Sequence, residues 1–157
     1  DPVSPAVADA VAAAAKAEGI PLTRGGTYLV MEGPQFSTRA ESNLYRQWGC
    51  SVIGMTNMPE AKLAREAELC YATLALCTDY DCWHETEADV TVATVVQTLR
   101  ENTALAKRII QRLACTLNTI GDCTCGEALS HALITAPDHI PAATRERLAL
   151  LIGRYGL

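Results

Sequence analysis

The chain has 157 residues, 49% of them hydrophobic and 20% charged, which suits one hydrophobic core and excludes a disordered polar segment. Its 18 acidic and 13 basic side chains leave a net charge of -5 with no dense arginine or lysine run, which argues against nucleic acid or an anionic membrane as partner. No stretch approaches the roughly 18 continuous apolar residues that cross a bilayer.

In chain order, "SPAVADAVAAAAKAEG" predicts a helix in which Ser4 caps the start, Pro5 occupies the first turn and Gly19 supplies the exit. "GGTYLVMEG" (25–33) is a glycine-bounded, β-prone run and predicts a strand of about five residues. In "EGPQFSTRAESNLYRQWG", Thr38 followed by Glu41 forms a capping box for a helix that runs to about Trp48 and stops at Gly49. "CSVIGM" (50–55) predicts a second strand. "TNMPEAKLAREAELCYA" predicts a helix, with Asn57 and Glu60 as another capping box and Pro59 near its start.

"ATLALCT" (72–78) predicts a third strand. From Thr91 a long helix follows, with Val92, Val95, Val96, Leu99, Ala106, Ile109, Ile110 and Leu113 recurring at helical spacing. The tail reads as helical, opening at Pro141 and carrying Leu148, Leu151 and Ile152 before Gly153. Strand, helix, strand, helix, strand is the rhythm of an α/β layer fold. Three strands make a thin sheet for such a fold, so 1–157 is expected to be the back portion of one larger domain whose N-terminal part is absent.

Parallel strands would open their C-terminal ends onto one edge, the usual place for an α/β ligand site. Three loops meet that description: "MEGPQFS", "GMTN" and "CTDYDCW". Phe36 is either a loop anchor buried in the core or a stacking platform for a flat heterocycle, with Ser37 beside it. Met55 and Thr56 offer a soft contact next to a hydroxyl. Asp79 and Asp81 are either solvated turn caps or purine readers. A carboxylate accepts an exocyclic amine, and a carboxyl kept protonated can donate to purine N7, steadying the base as a glycosidic bond breaks. Glu32 suits sugar hydroxyls or an ion pair, and Arg39 an anion or a salt bridge. There is no phosphate loop of the G-K-[ST] type, and Cys82 beside His84 lacks the context of a nucleophilic pair.

The seven cysteines, an odd number with several in apolar runs, predict reduced core thiols rather than a disulfide framework. The C-x-C pair Cys123 and Cys125 is open to three readings: a strained redox loop, part of a metal site, or two ordinary thiols. Tetrahedral zinc needs about four ligands, and His84, His131 and His139 show no matching spacing, so no metal is expected.

The motifs "EGPQFSTRAES", "MTNMPEAKLAREAELCYA" and "TDYDCW" closely resemble the C-terminal half of the methylthioadenosine phosphorylases, in the trimeric purine nucleoside phosphorylase superfamily. The resemblance covers about the first 115 residues. It implies a three-layer α/β fold with covering helices and a helical tail, and phosphorolysis of S-methyl-5'-thioadenosine to adenine and 5-methylthioribose-1-phosphate. By the same resemblance, Phe36 stacks on the base with Ser37 beside it, Met55 lies along the ribose, and Thr56 serves phosphate and sugar. Asp79 binds N7, Asp81 lies near N6, Thr78 lines the pocket, and Val92 and Val95 wall the methylthio group. Aspartate at the first position favours a 6-amino base over a 6-oxopurine.

The resemblance also implies a cytoplasmic homotrimer with inorganic phosphate as co-substrate and no cofactor. The family's remaining phosphate ligands would lie upstream, so an N-terminal fragment of the same protein is the expected partner for activity. A broader 6-aminopurine nucleoside phosphorylase and a nucleoside-binding subunit without catalysis are the alternative readings.

Overall fold

The computed structural model describes residues 2–83, 92–116, 118 and 123–157. Helix α1 spans Pro5–Ala17, and the Ser4 hydroxyl accepts the Val7 amide at 3.4 Å. Glu18 closes the helix, and Gly19 leaves it in the left-handed region at φ +65°. The alanines of α1 bring its backbone close to helix α4, Val92–Thr116. Ala14 and Ala15 join Ile20 and Ile109 in the core, ringed by Val11, Leu22, Leu74 and Leu113. At the end of α1, Glu18 pairs with Arg108 at 3.1 Å and Arg112 at 2.8 Å. These two guanidinium groups, Arg112 foremost, hold the Glu18 carboxyl below the usual range.

Strands β1 (Tyr28–Val30) and β2 (Val52–Gly54) pair in parallel, with Tyr28 opposite Val52, Leu29 opposite Ile53 and Val30 opposite Gly54. The Met31 amide adds a further bond to the Gly54 carbonyl at 2.9 Å. Helix α2 (Arg39–Gln47) connects them. Its capping box is complete: the Glu41 amide donates to the Thr38 hydroxyl at 3.3 Å, and the Thr38 amide to the Glu41 carboxylate at 2.7 Å. Gly49, at φ +79°, turns the chain out of α2. Helix α3 (Asn57–Glu66) follows β2 and contacts β1, and α5 (Ala142–Ile152) buries Ile152 near the end of the tail.

Three expectations require correction. Residues 72–78 form no strand, and the sheet among the described residues has two strands. A strand is held by a ladder, whereas here Tyr71 O accepts the Ser4 amide at 2.7 Å and Cys77 O accepts the Asn102 side chain at 2.8 Å. The apolar character of the run instead serves packing, since Leu74 lies against the core between α1 and α4.

The second capping box does not form either. Asn57 Oδ1 accepts the hydroxyls of Tyr71, at 2.9 Å, and Thr73, while Glu60 also accepts Tyr71 at 3.1 Å. Met58 departs from helical geometry at φ -121°, ψ 129°, because the ring of the following proline disfavours the α region there.

The long helix α4 forms as read, and its apolar stripe is half buried. Ala106 and Ile109 are buried, but Val96, Leu99 and Ile110 are exposed. At a rise of about 1.5 Å per residue, the 13 residues of α1 cannot cover the 25 of α4. Finally, the cysteines are not core thiols as a set: all seven are free, and only Cys125 is buried. The accessible surface of the chain, 11330 Å², is about half again the area that a compact monomer of this mass exposes.

The tail is held through Glu68, which follows α3 in the left-handed region at φ +57°. Its side chain, 7% exposed, accepts the Leu129 amide at 2.9 Å and the Tyr155 hydroxyl, and pairs with Arg154 at 3.0 Å. The Tyr155 hydroxyl first, then the Leu129 amide, hold the Glu68 carboxyl below its ordinary value. No helix among the described residues is long and apolar enough to cross a membrane.

Candidate functional site

Because β1 and β2 are parallel and in register, their following loops emerge side by side. The loop after β1 turns at Gly33, whose backbone holds φ +73°. A Cβ at that position would lie 2.8 Å from Met55 Sδ, so the absence of a side chain at Gly33 lets Met55 sit over the loop. Ser37 Oγ donates to Met31 Sδ at 3.6 Å, drawing the loop back over the strand end. Thr56, exposed, precedes α3 without a side-chain cap bond.

The third loop joins this edge although no strand precedes it. Asp81–Trp83 form one turn of 3-10 helix packed on α2. Cys82 Sγ donates to the Ser37 carbonyl at 3.5 Å, and the Ser42 hydroxyl donates to the Asp81 carboxylate. Ser42 is 2% exposed, so this bond is made inside the protein. On the outer side, Arg46 stacks on Trp83 at 3.6 Å from the ring centroid.

Asp79 organises the loop locally. Its carboxylate accepts the Thr78 hydroxyl at 2.8 Å and the Asp81 amide at 2.9 Å, and Asp81 takes φ +62° as a result of this tight turn. The two carboxylates therefore differ: Asp81 is bound to α2, whereas Asp79 is exposed. The turn-cap reading holds for Asp79 in its local bonds, and those bonds also fix where its carboxylate stands.

The remaining candidates lie around this edge in different states. Phe36 is 84% exposed, so its ring is not anchored in the core formed by these residues. Glu32 and Arg39 are exposed. Val92 opens α4, but its side chain lies outside the described residues, as does His84. Val95 is half-buried and precedes Asn102 by two helical turns, so it shares the helix face that Asn102 turns to Cys77 O. A surface depression of about 370 Å³ beside α1, lined by Lys16, Ile20 and Arg24 among others, contains none of these residues. The candidate site is an open edge.

Sequence reasoning missed Ser42, whose role depends on a residue 39 positions away. It also missed Asn57 as the acceptor that ties the start of α3 to Tyr71, whose hydroxyl is pushed up chiefly by burial. A third omission is Cys70. It gathers with Cys123 and Cys125, their sulfurs all within 4.8 Å of one another. Hydrogen bonds from Cys70 first, and from Ser4 next, lower the Cys123 thiol to about 6, while the same contact raises Cys70 to about 11.

Known proteins of similar sequence and structure show the family of the chain. The chain is 54% identical over 155 residues to the S-methyl-5'-thioadenosine phosphorylase of Geobacter sulfurreducens, covering 99% of this chain and 54% of that protein. It is 52% identical to the protein of that name from Koribacter versatilis, covering 99% and 53%. Among solved structures, a methylthioadenosine phosphorylase from an Antarctic soil metagenomic library superposes with a TM-score of 0.87 at 45% identity, covering 96% of this chain and 54% of that one. The methylthioadenosine phosphorylase of Schistosoma mansoni, solved with adenine, gives 0.68 at 30% identity over 78% and 48%. The chain spans about half the length of these relatives. With residues 1–114 matching the family model for the phosphorylase superfamily, and the α/β fold shared with its solved members, the chain belongs to the phosphorylase superfamily.

Proposed function

We propose that residues 1–157 form the base-reading part of a single nucleoside phosphorylase domain that cleaves S-methyl-5'-thioadenosine with inorganic phosphate. One observation carries the reading: the segment 78–82 is bonded through Asp81 to α2 and through Cys82 to the Ser37 loop at the shared end of β1 and β2. Identity of 54% to a relative named for this substrate supports the same reading.

In this reading Phe36 stacks on adenine and Ser37 and Thr78 border it. Met55 lies along the ribose, with Glu32 on sugar hydroxyls and Thr56 on phosphate. Val92 and Val95 face the methylthio group. A phosphate oxygen forms the new bond to C1', and the electron pair of the C1'–N9 bond passes to the base. Asp79, in its protonated form, gives its proton to N7 as that charge develops, so that neutral adenine leaves and the carboxylate remains, and Asp81 accepts from the N6 amine. No cofactor takes part.

Binding and catalysis at an open edge need a cover that excludes water. Phe36, Leu44, Trp48, Leu63, Val96 and Leu99 are all exposed. The relatives carry about as much chain again as the portion matched here, and a corresponding N-terminal segment is the partner that would cover these side chains and complete the phosphate site. The active species is a cytoplasmic homotrimer containing that segment.

The test is adenine release from S-methyl-5'-thioadenosine with and without phosphate, by protein whose intact mass establishes which segments are present. The expected result is phosphate-dependent release that falls by about 10²-fold or more in Asp79→Ala. Release without phosphate, or turnover unchanged in the variant, overturns the proposal.

A further inference from the structure

Three cysteines converge at a place that contains none of the candidate site residues. Cys70 lies in the segment after α3, and Cys123 and Cys125 begin the tail at the 3-10 turn Thr124–Glu127. Their sulfurs lie within 4.8 Å of one another. Three thiolates around one ion at the usual zinc–sulfur length of about 2.3 Å would stand about 3.8 Å apart in a tetrahedron, so the observed cluster needs only a small contraction. The sulfurs come from two separate parts of the chain, and a fourth group supports them: Ser4, fully buried at 0% exposure, has its hydroxyl 3.2 Å from Cys123 Sγ.

We propose that Cys70, Cys123 and Cys125 form a three-thiolate binding site for a thiophilic, closed-shell cation of the zinc(II) class. The donor set is all sulfur, which selects such ions over magnesium, calcium or manganese. Three thiolates around a divalent ion leave one tetrahedral position, and the exposed side of Cys70 is where water reaches it. The Ser4 hydroxyl donates to the Cys123 thiolate and orients it, as partners beyond the ligands do in metal sites. Binding releases the thiol protons still present and changes no oxidation state.

The site would clamp three elements. Ser4 is the cap of α1, and its amide also donates to Tyr71 O, next to Cys70, at 2.7 Å. Cys123 and Cys125 hold the start of the tail, whose later residues reach Glu68. The ion is therefore a structural staple between α1, the end of α3 and the tail, and it does not depend on the proposed substrate.

The experiment is titration of the reduced full chain, without oxygen, first with cobalt(II) and then with zinc(II). The expected result is one cobalt per chain, a sulfur-to-cobalt charge-transfer band with tetrahedral visible bands, and loss of both when zinc displaces the cobalt. Cys70→Ser, at an exposed position that leaves the packing intact, abolishes the band, as does Cys123→Ser, while Cys50→Ser retains it. Ser4→Ala weakens zinc binding about 10-fold. Failure to bind cobalt or zinc in the reduced protein overturns the proposal. So does a band that survives in Cys70→Ser, or a disulfide among the three sulfurs in protein isolated under reducing conditions.

Discussion

The hydroxyl of Ser42, on the inner face of α2, donates to the carboxylate of Asp81 and thereby fastens the loop that carries Asp79 to a helix. Removing the donor leaves a carboxylate without its buried partner, at a cost of about 1–3 kcal/mol. Ser42→Ala is expected to retain the helical content seen by circular dichroism and to lose about 10-fold in kcat/KM for adenine release. An unchanged kcat/KM would show that the anchoring of this loop does not matter to the reaction.

Asp79→Asn keeps the size of the side chain and its acceptor oxygen for the Asp81 amide, but it replaces an ionisable group with an amide. An amide can serve O6 and N7 of a 6-oxopurine together, whereas it cannot protonate N7 of adenine. The variant is expected to lose about 10²–10⁴-fold in turnover of methylthioadenosine. Its ratio of kcat/KM for methylthioinosine over methylthioadenosine should rise, as measured by base release from each nucleoside.

Gly33 combines a left-handed backbone with close approach to Met55. Gly33→Ala adds a methyl group 2.8 Å from Met55 Sδ and a backbone cost of about 1–2 kcal/mol. Met55 must move off the loop, so KM for the nucleoside is expected to rise more than kcat falls, with a lowered thermal midpoint. Gly49→Ala, with no atom within 4 Å of its added Cβ, carries the backbone cost alone and should leave KM unaltered.

Glu68 makes tail docking dependent on pH. Its carboxyl is held below the ordinary value of about 4.3, so its contribution is present above that pH and is lost as pH falls through the lower folded value. Tyr155 is shifted the other way, upward, chiefly by the same hydrogen bond to Glu68. Its contribution is present below the ordinary tyrosine value of about 10 and is lost as pH rises through the higher folded value. Proteolytic protection of the tail should therefore hold between these limits and weaken outside them. Glu68→Gln should flatten the acid limb, and Tyr155→Phe the alkaline one.

The sequence by itself determined the elements whose signals lie within a few residues of one another. Ser4 and Pro5 start α1, the Thr38–Glu41 box starts α2, and Gly19 and Gly49 end these two helices as read. Such signals are legible because cap and backbone partner are three or four positions apart and the energy is local. The loops at 32–37 and 55–56 are likewise legible as neighbours, since parallel strands end at a common edge, whereas 78–81 joins them without a strand, through bonds of Asp81 and Cys82 to α2 and the Ser37 loop.

Tertiary structure alone decided what each remaining group does. Residues 72–78 have strand composition, yet a strand exists only where a neighbour supplies the ladder, and their carbonyl and side-chain partners lie on other elements. Asn57 was taken from its capping role by hydroxyls 14 and 16 positions away. Ser42 meets Asp81 across 39 residues, Ser4 meets Cys123 across 119, and Glu68 meets Tyr155 across 87. Contacts at such separations leave no periodic or local mark, because the chain between them can be any that closes the loop. The packing of α1 on α4, of the Asp81–Trp83 turn on α2 and of the tail on the end of α3 brings those partners within bonding distance.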